Sequence, residues 1–313
     1  MKILITGGTG FVGSHLSNLL LRDGHEITLV ARNMDKRANI EENFDKVTTK
    51  ICDITDFIKL ENTIKEIKPD VIFHLAGETS HKKSFENPLY DVDVNTKSTL
   101  CILETIRNSL PTCKFILGST FIVVGKPKQL PINEDSSCNP TTIYGTDRLS
   151  SEYYNTIYHN VYGLQTLTFR ITNSFGPKEQ YLTPTKNAIN YLIYQAYKGN
   201  EVTIYDEGKF FRDLIFINDV ISAIKTIMDK GVNGNLYWIS SGKKTWFYDI
   251  GNWLEELTNS KVKYIQSPEY AKKTDVGNFV VDNSKLKSLG WNQTVDIKKG
   301  IELTLDYFRT HNL

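Results

Sequence analysis

Hydrophobic residues in the first half of the chain fall into short β-branched runs that alternate with longer amphipathic runs. The short runs predict six strands: KILIT (2–6), EITLV (26–30), VTTKIC (47–52), DVIFHL (70–75), KFILGS (114–119) and LQTLTFR (164–170). The longer runs, such as VGSHLSNLLLRDG, IKLENTIKEI and NTKSTLCILETIRNSL, have helical spacing. Apolar strands that alternate with helices are typical of a parallel sheet covered on both faces. The pattern therefore predicts an α/β fold with a doubly wound parallel sheet.

The rhythm changes after about residue 175. Shorter, mixed segments follow, with helices expected at NAINYLIYQAYKG, NDVISAIKTIMDKG and IKKGIELTLDYF, and strands at EVTIY and FRDLIFI. We expect a large domain over residues 1–175 and a smaller α/β lobe over residues 176–313, with some segments of the lobe returning to the large domain.

Charge and cysteine usage narrow the class of protein. The 313 residues contain 37 Lys and Arg against 36 Asp and Glu, a formal net charge of +1. This balance provides no general attraction to nucleic acid or to an anionic membrane. The four cysteines have no CxxC spacing, so we expect reduced thiols and no metal site. The apolar start is too short for a signal sequence, and no run approaches the roughly 20 residues of a membrane span, so a cytoplasmic protein is expected.

Glycines follow the first predicted strand in TGGTGFVGSHL, where Gly7, Gly10 and Gly13 have GxxGxxG spacing before a helix. Glycines in such a turn let the backbone approach a pyrophosphate, which binds the free N–H groups at the helix N-terminus. Because this turn opens a strand–helix–strand unit, it predicts a dinucleotide site in a Rossmann-type domain.

The end of the second predicted strand favours one dinucleotide. A carboxylate there would bind the ribose hydroxyls of NAD, whereas Arg32 in LVARN offers a forked cation to a 2′-phosphate. We therefore favour NADP(H) over NAD(H), with adenine stacking or solvent exposure as alternatives for Arg32. After the third strand, Asp53 in CDITD suits a hydrogen bond to the adenine amino group or, alternatively, a helix N-cap.

Eight separated stretches, in order, match the pattern of one family. They are TGGTGFVGSHL, CDITD, IFHLAG, VNTKSTL, GSTFIVVG, YGTDRLSSE, FRITNSFGP and FRDLIFINDV, with LGW near residue 290 as a further match. Together they resemble the extended short-chain dehydrogenases/reductases of the NAD-dependent epimerase/dehydratase group, which modify nucleotide-activated sugars. VNTKSTL resembles an NxxGT helix start with Ser98 in place of glycine, and YGTDRLSSE resembles the YGxSK helix.

The resemblance implies which residues contact the cofactor and do the chemistry. Besides the glycines, Arg32 and Asp53, the expected cofactor contacts are Phe11, Val12, Ile54, Leu75, Ala76, Gly77, Tyr144 and Arg148. The implied catalytic trio is Thr120, Tyr144 and Arg148. In such a trio the tyrosine is the general acid/base, the threonine shares its hydrogen bond, and the cation holds the nicotinamide ribose and lowers the tyrosine pKa.

Arg148 is the unusual member, because the YGxSK pattern has lysine there. An arginine supplies the same charge, but its planar fork and longer stem change the ribose contacts. We interpret Arg148 as a working substitute, with reduced activity or binding without catalysis as alternatives. A second YxxxK pair, Tyr194 and Lys198, lies in the smaller lobe and is expected to be structural.

The residues after Thr120 narrow the reaction. Relatives that eliminate water from the sugar resemble one another in having an acidic pair there, whereas this chain has Phe121 and Ile122. We therefore expect an NAD(P)H-dependent reductase or dehydrogenase acting at C4 of an NDP-hexose or related sugar. A C4 epimerase that retains NAD is the alternative, and a non-catalytic nucleotide-sugar or cofactor-binding protein is the alternative from another class.

The resemblance also implies the contacts to the nucleotide-diphosphate sugar. Those expected are Thr79, Ser80, Ser84 and Thr120 at the sugar, with Asn173 and Arg212 at the diphosphate. A salt bridge to Asp213 is the alternative role for Arg212. His81 is interpreted as a solvated loop residue, with acid/base catalysis as its alternative.

Relatives commonly form homodimers by pairing two helices from each subunit. The corresponding segments here are PLYDVDVNTKSTLCILETIRN and YGTDRLSSEYYNTIYHN, the latter with Tyr153, Tyr154, Ile157 and Tyr158 at helical spacing. A homodimer is therefore expected.

Overall fold

The computed structural model describes residues 1–184, 187–268 and 276–313. Its strands, in chain order, are β1 (Lys2–Thr6), β2 (Glu26–Ala31), β3 (Thr48–Ile51), β4 (Val71–His74), β5 (Lys114–Thr120), β6 (Thr166–Ile171), β7 (Asn173–Phe175), β8 (Val202–Tyr205), β9 (Phe211–Arg212), β10 (Leu214–Phe216), β11 (Leu236–Ile239), β12 (Thr245–Trp246) and β13 (Val262–Ile265). The α-helices of the described residues are α1 (Phe11–Arg22), α2 (Phe57–Ile67), α3 (His81–Glu86), α4 (Pro88–Val92), α5 (Ser98–Ser109), α6 (Ile143–Tyr162), α7 (Ala188–Tyr197), α8 (Ile217–Lys230) and α9 (Phe247–Thr258), followed by Ser284–Lys287 and Ile297–Thr310. Turns of 3₁₀-helix span Arg37–Lys46, Phe121–Val124 and Asp206–Gly208, and a π-helical turn spans Asp93–Lys97.

One parallel sheet organises the described part of the chain. Its strand order is β3-β2-β1-β4-β5-β6-β11. The chain runs outward from β1 to β3, crosses back to β4 beside β1, and then runs outward on the other side. In such sheets, ligands bind at the carboxyl ends of the strands, where the strand order reverses. The expected Rossmann-type, doubly wound α/β fold is confirmed.

Both faces of this sheet are buried, which explains why the strand runs are apolar throughout. Ile3 and Ile5 point to one face and belong to the same hydrophobic cluster as the inner sides of α1 and α8. Leu4 and Ile72 point to the other face and pack with α2 and α5. Because successive side chains of a strand alternate between faces, a strand covered on both sides needs no polar alternation.

The segment FRDLIFI, expected to be one strand, is two short strands separated at Asp213. β9 pairs antiparallel with β12, whereas β10 pairs parallel with β7. The fully buried Asp213 carboxylate accepts hydrogen bonds from Ser241 N and Oγ (both 2.8 Å), Gly242 N (3.2 Å) and Val281 N (3.1 Å). The prediction of a continuous strand was wrong because this carboxylate binds two other segments, residues 241–242 and residue 281, at the break.

The second half of the chain contributes to both parts of the molecule. The strand pairs β7–β10, β9–β12 and β8–β13 lie outside the large sheet. In contrast, β11 extends the large sheet beside β6, and α8 packs against α1. One hydrophobic cluster includes both Ile5 near the start and Phe308 near the end of the chain. Segments after residue 175 therefore return to the large sheet, while a domain boundary at 175/176 stays a prediction.

Two further properties bear on the expected class of protein. Within residues 1–184, 187–268 and 276–313, no helix is both long and apolar enough to span a lipid bilayer. Cys52, Cys101, Cys113 and Cys138 are all free thiols, as expected.

Candidate active site

The glycine turn after β1 makes a backbone cradle at the carboxyl edge of the sheet. Gly7 has a φ of +72°, and a Cβ there would lie 2.8 Å from Ala76 N. A Cβ at Gly13 would lie 2.4 Å from the Gly7 carbonyl oxygen, so the turn and the start of α1 can be this close only without side chains. No side chain caps α1 at Gly10. Its first N–H groups are therefore available to an anion, which fits a dinucleotide pyrophosphate.

Arg32 lies at the carboxyl end of β2, beside the cradle. Its side chain is exposed, and Nη1 donates a hydrogen bond to the Tyr90 hydroxyl at 3.0 Å. The preceding residue, Ala31, is small and buried, so no carboxylate occupies the end of this strand. The contact with Tyr90 on α4 holds the guanidinium over the side of the site where the second strand ends.

Asp53 lies in the loop after β3 and does not cap the next helix. Its Oδ1 accepts hydrogen bonds from Thr55 N at 3.0 Å and Thr55 Oγ1 at 2.8 Å. Helix α2 is instead capped by Asp56, which accepts a hydrogen bond from Lys59 N at 3.1 Å. The alternative interpretation of Asp53 as an N-cap was therefore wrong.

A buried hydrogen-bond chain supports the turn formed by Leu75, Ala76 and Gly77. His74 Nδ1 lies 2.7 Å from Thr6 Oγ1, and its Nε2 lies 3.1 Å from Ser98 Oγ. Thr6 Oγ1 also accepts a hydrogen bond from Ala76 N at 3.2 Å. Burial, together with the nearby charge of Arg148, lowers the pKa of His74 to about 3, so the ring is neutral. Ser98 thus has a structural reason to replace the glycine of the NxxGT pattern.

Thr120, Tyr144 and Arg148 come together at the carboxyl edge. Tyr144, in the first turn of α6, lies beside Thr120 at the end of β5, close enough for the threonine hydroxyl to lower the pKa of the tyrosine. Arg148 follows one helical turn later and is only 4% exposed. A Cβ built on Gly77 would lie 3.6 Å from Arg148 Nη1 and 2.7 Å from Asn95 Oδ1. The guanidinium therefore lies beside the turn where the resemblance places the cofactor.

Burial and the neighbouring groups shift the pKa of Tyr144 in opposite directions. Burial raises the pKa of Tyr144, whereas the charge of Arg148 and the hydrogen bond to Thr120 lower it. Burial also lowers the pKa of the Arg148 guanidinium. An arginine nevertheless stays protonated in proteins, so Tyr144 keeps a fixed cation at its side.

His81 is not a solvated loop residue. It is the first residue of α3, whose N-cap Ser80 accepts a hydrogen bond from Lys83 N at 3.3 Å. The His81 ring is partly buried and stacks on the Tyr144 ring, with 5.9 Å between centroids and 25° between planes. Burial lowers the pKa of His81, so the ring beside Tyr144 is mainly neutral near pH ~7. The interpretation of His81 as solvated was wrong, because the cap turns it inward.

The other expected sugar contacts on this segment differ in exposure. Thr79 is exposed before α3, and Ser80 uses its hydroxyl as the helix cap. Ser84 is fully buried, and its Oγ donates to the His81 carbonyl oxygen at 2.8 Å. This differs from the expected sugar contact, because the helix directs Ser84 away from the surface of the site.

The pairing of β7 with β10 brings Asn173 beside Asp213, the residue that follows Arg212. Asn173 N donates to the Asp213 carbonyl oxygen at 3.2 Å. Asn173 Oδ1 is buried without a hydrogen-bond partner among the described residues. Arg212 lies with its guanidinium 5.2 Å from the centre of the Phe210 ring. These polar groups fit the expected diphosphate contacts, whereas the Asp213 carboxylate is occupied by the loop hydrogen bonds described above.

A buried ion pair behind Thr120 was missed by sequence reasoning. Arg170 Nη2 on β6 donates to Glu152 Oε2 at 2.6 Å, and both side chains are less than a tenth exposed. Ser119 Oγ, next to Thr120, donates to Glu152 Oε1 at 2.5 Å. The pair joins β5, β6 and α6. Glu152, one helical turn after Arg148, was its visible signal in the sequence.

The residues after Thr120 and the second YxxxK pair behave as expected. Phe121 packs against Phe279 at 5.1 Å, and Ile122 is 7% exposed. Tyr194 lies 5.5 Å from the Phe308 ring, and Lys198 Nζ lies 5.5 Å from the Tyr194 ring. This aromatic cluster joins α7 to the C-terminal helix.

Comparison with known proteins identifies the family of this chain. A family model described as GDP-mannose 4,6 dehydratase matches residues 4–304. The chain belongs to the NAD-dependent epimerase/dehydratase family of extended short-chain dehydrogenases/reductases. It is an enzyme of this family, so the hypothesis of a non-catalytic binding protein is set aside.

Relatives in this family match the chain over its whole length. The UDP-glucose 4-epimerase of Mycolicibacterium smegmatis is 29% identical over 317 residues, covering 99% of each chain. A UDP-glucose 4-epimerase structure from Thermotoga maritima, solved with UDP-glucose, has a TM-score of 0.91 with 27% identity and covers 100% of both chains. A UDP-glucose 4-epimerase of Thermus thermophilus in complex with NAD has a TM-score of 0.88 with 26% identity and covers 99% of both.

Replacing Arg148 by methionine tests the charge beside Tyr144. Because Arg148 opposes the rise in the Tyr144 pKa that burial causes, this pKa should be higher in the Arg148→Met protein. We expect turnover at neutral pH to fall by about 10²-fold or more, with partial recovery at high pH. The pH dependence of kcat measures this effect.

Two matched variants complete the comparison. Arg148→Lys should retain activity because the charge remains, and Tyr144→Phe should lose turnover while still binding the dinucleotide. Wild-type turnover with an unchanged pH profile in Arg148→Met would show that this charge has no part in the chemistry.

Proposed function

We propose that this protein is an NADP(H)-dependent reductase or dehydrogenase that acts at C4 of a nucleotide-diphosphate sugar. One observation carries the proposal: Tyr144 lies between Thr120 and the buried Arg148, both of which lower its pKa, at the glycine-lined edge of the sheet. A bound nicotinamide cofactor would supply hydride exchange with a sugar carbon at this edge. Tyr144 would exchange the proton of the C4 hydroxyl or ketone oxygen, and Thr120 would share that hydrogen bond.

The surroundings of Thr120 favour simple hydride and proton exchange over elimination of water. Elimination needs an acid for the departing hydroxyl and a base for the carbon-bound proton. The two positions after Thr120 are apolar, and both side chains pack into a hydrophobic cluster with Val281. They provide neither group.

Polar groups at the β7–β10 junction support a diphosphate-containing substrate. The side-chain oxygen of Asn173 is buried without a partner among the described residues. A flip of the amide places its NH₂ group at this position, and that group can donate a hydrogen bond to a diphosphate oxygen. Arg212, which precedes Asp213 in the chain, is 9% exposed and carries a forked cation. The Thermotoga maritima relative, whose structure contains UDP-glucose, supports a sugar nucleotide as the ligand class.

An NDP-sugar C4 epimerase that retains NAD is the second candidate. Its support is the full-length similarity to UDP-glucose 4-epimerases from Mycolicibacterium smegmatis and Thermotoga maritima. Both candidates use Tyr144 at the same oxygen. They differ in whether oxidation state changes between substrate and product.

The balance of cofactor consumed against sugar converted distinguishes the two. We expect one equivalent of NADPH to be oxidised for each 4-keto sugar nucleotide reduced, measured by absorbance and product analysis. Interconversion of two hydroxy sugar nucleotides without net change in the cofactor would instead support the epimerase. In either case Tyr144→Phe is the matched control, because it removes the proton-transfer group.

The end of β2 supports NADP(H) as the cofactor. Ala31 provides no carboxylate for the ribose hydroxyls, and cations follow it at Arg32, Lys36 and Arg37. Arg32 directly follows the last residue of β2 and is therefore the cation nearest the strand end. Arg37 is paired with Glu41 at 3.1 Å. A forked guanidinium there fits a 2′-phosphate.

Binding titrations test this preference. Wild-type protein should bind NADPH more tightly than NADH, and Arg32→Ala should lose about 10-fold or more in NADPH affinity with little change for NADH. Arg37→Ala is the matched control and should affect both equally. Tighter binding of NADH by the wild type would contradict the preference.

The proposal also includes a cytoplasmic location and a homodimer. The exposed face of α6 supports the homodimer. Tyr153, Ile157 and Val161 form an apolar stripe along the helix and are 60%, 48% and 65% exposed. Tyr158, which was expected on this face, is buried and donates to Glu104 Oε1 at 2.5 Å. The contact face is therefore narrower than the sequence pattern suggested. A second copy of the chain would cover it by the isologous pairing of helices.

Light scattering at micromolar concentration should give the mass of a dimer. Ile157→Glu places a charge in the stripe and should give a monomer, while Thr156→Glu, beside the stripe, is the control. A monomeric wild-type protein would contradict the proposal.

A further inference from the structure

Two buried carboxyl groups lie next to the catalytic trio and have no role in the chemistry described so far. Asp91 on α4 is 1% exposed, and Asp147 on α6 is 7% exposed. The two carboxyl groups are close enough for each to shift the pKa of the other. Asp91 Oδ1 and Asp147 Oδ2 are both buried, and no donor group in the described part of the chain reaches either oxygen, so a proton shared between the two carboxyl groups would satisfy them.

A hydrogen bond between two carboxyl groups requires a proton on one of them, because ionised carboxylates are acceptors only. Asn95 Nδ2 donates to Asp91 Oδ2 at 3.1 Å, which stabilises the ionised form of Asp91. Burial, the hydrogen bond to Asp91 and the charge of Asp91 raise the pKa of Asp147 to about 7. Burial also raises the pKa of Asp91. The pair therefore holds one proton, mainly on Asp147, and one negative charge.

The buried positive and negative charges around this pair are equal in number only when the pair holds one proton. Glu152 and Arg170 neutralise each other at 2.6 Å. Arg148 is left as a buried cation, and burying an unpaired charge is costly. Asp91 is close enough for its charge to raise the pKa of Arg148, and for Arg148 to lower the pKa of Asp91. A singly protonated pair supplies the one negative charge that Arg148 lacks.

We propose that Asp91 and Asp147 share one proton and that their remaining negative charge offsets the buried cation of Arg148 beside Tyr144. They are positioning residues, since they act on the reacting groups through Arg148. The YGxSK pattern has a serine and a lysine where this chain has Asp147 and Arg148. These two differences from the pattern are adjacent in sequence. The proposal connects them, because the buried arginine needs a negative charge and Asp147 is one of the two acids that supply it.

The charged groups around the pair determine what a second ionisation would do. Glu78 in the loop after β4, His81 on α3, and Tyr144 and Arg148 on α6 interact electrostatically with Asp91. Glu152 on α6 interacts with Arg148. Glu78 is paired with Lys83 at 3.2 Å, and Glu152 is paired with Arg170. Loss of the shared proton therefore adds a negative charge that no buried cation offsets. That charge raises the pKa of Tyr144, because Asp91 already acts in this direction.

The pH dependence of stability tests the shared proton without any assay of turnover. The folded-state pKa of Asp147 is above its ordinary value of 3.8, so the stability due to its protonated form is lost as pH rises through about 7. Asp147→Asn imitates the protonated acid at every pH. Its unfolding temperature should therefore exceed that of the wild type by more at about pH 8 than at about pH 5.

The matched control is Asp93→Asn, which removes a carboxylate that pairs with Lys97 at the surface, two residues after Asp91. Its difference from the wild type should be nearly the same at both pH values. If Asp147→Asn shows the same pH-independent difference as this control, Asp147 does not hold a proton in the folded protein and the proposal is overturned.

Coupling to Arg148 tests the counter-charge. Removing both acids with Asp91→Asn and Asp147→Asn should lower the unfolding temperature by several degrees when Arg148 is present. The same double change should cost much less in the Arg148→Met background, because no buried cation then needs a partner. Folding of the double variant only when Arg148→Met is added would support the proposal equally. Equal losses in both backgrounds would overturn it, and if neither folds, the pH comparison of Asp147→Asn decides.

The consequence for turnover rests on the proposed function and is measured separately. In the wild type, loss of the shared proton should shift the basic group seen in the kcat profile to higher pH. In Asp147→Asn that group should titrate at lower pH, with KM little changed. If the stability tests give the expected results and this shift in the kcat profile is absent, the counter-charge is supported. The proposed role of Arg148 in catalysis is then contradicted.

Discussion

The site depends on one constraint: all seven strands of the large sheet are parallel, so each ends at the same edge. The glycine turn follows β1, the Leu75–Gly77 turn follows β4, and Thr120 ends β5. These segments are far apart in sequence, yet hydrogen bonding of β1 to β4 and of β4 to β5 makes them neighbours. Helix α6 then needs only to begin at this edge for Tyr144 to reach Thr120.

Burial of charge is the second determinant of the site. Tyr144 and Arg148 are almost inaccessible, so their ionisation is controlled by neighbouring charges rather than by water. The ion pair of Glu152 and Arg170 holds α6 against β5 and β6, and so fixes the depth at which Arg148 lies. A cation at that depth requires an acid nearby. In our proposal this requirement connects α4, which carries Asp91, to the candidate site at the end of β5.

The departures from the family pattern have local physical reasons. Ser98 replaces a glycine and uses its hydroxyl to bind the buried His74 ring. His74 in turn is held by Thr6, which also binds the backbone at Ala76. Arg148 replaces a lysine, and it is buried together with the acids Asp91 and Asp147. Ser98 is thus accommodated by partners from other segments of the chain.

The sequence by itself determined the strands and helices of the large sheet, the glycine cradle and the candidate trio, because these follow from periodicity, glycine spacing and short motifs. Only the tertiary structure decided which polar groups meet. Asp213 interrupts a strand to bind loops from residues 241, 242 and 281. His81 turns inward onto Tyr144, and Asp91 reaches Asp147 across 56 positions of sequence. The pKa of a buried group depends on such neighbours and on the exclusion of water, and neither is contained in the local pattern of residues.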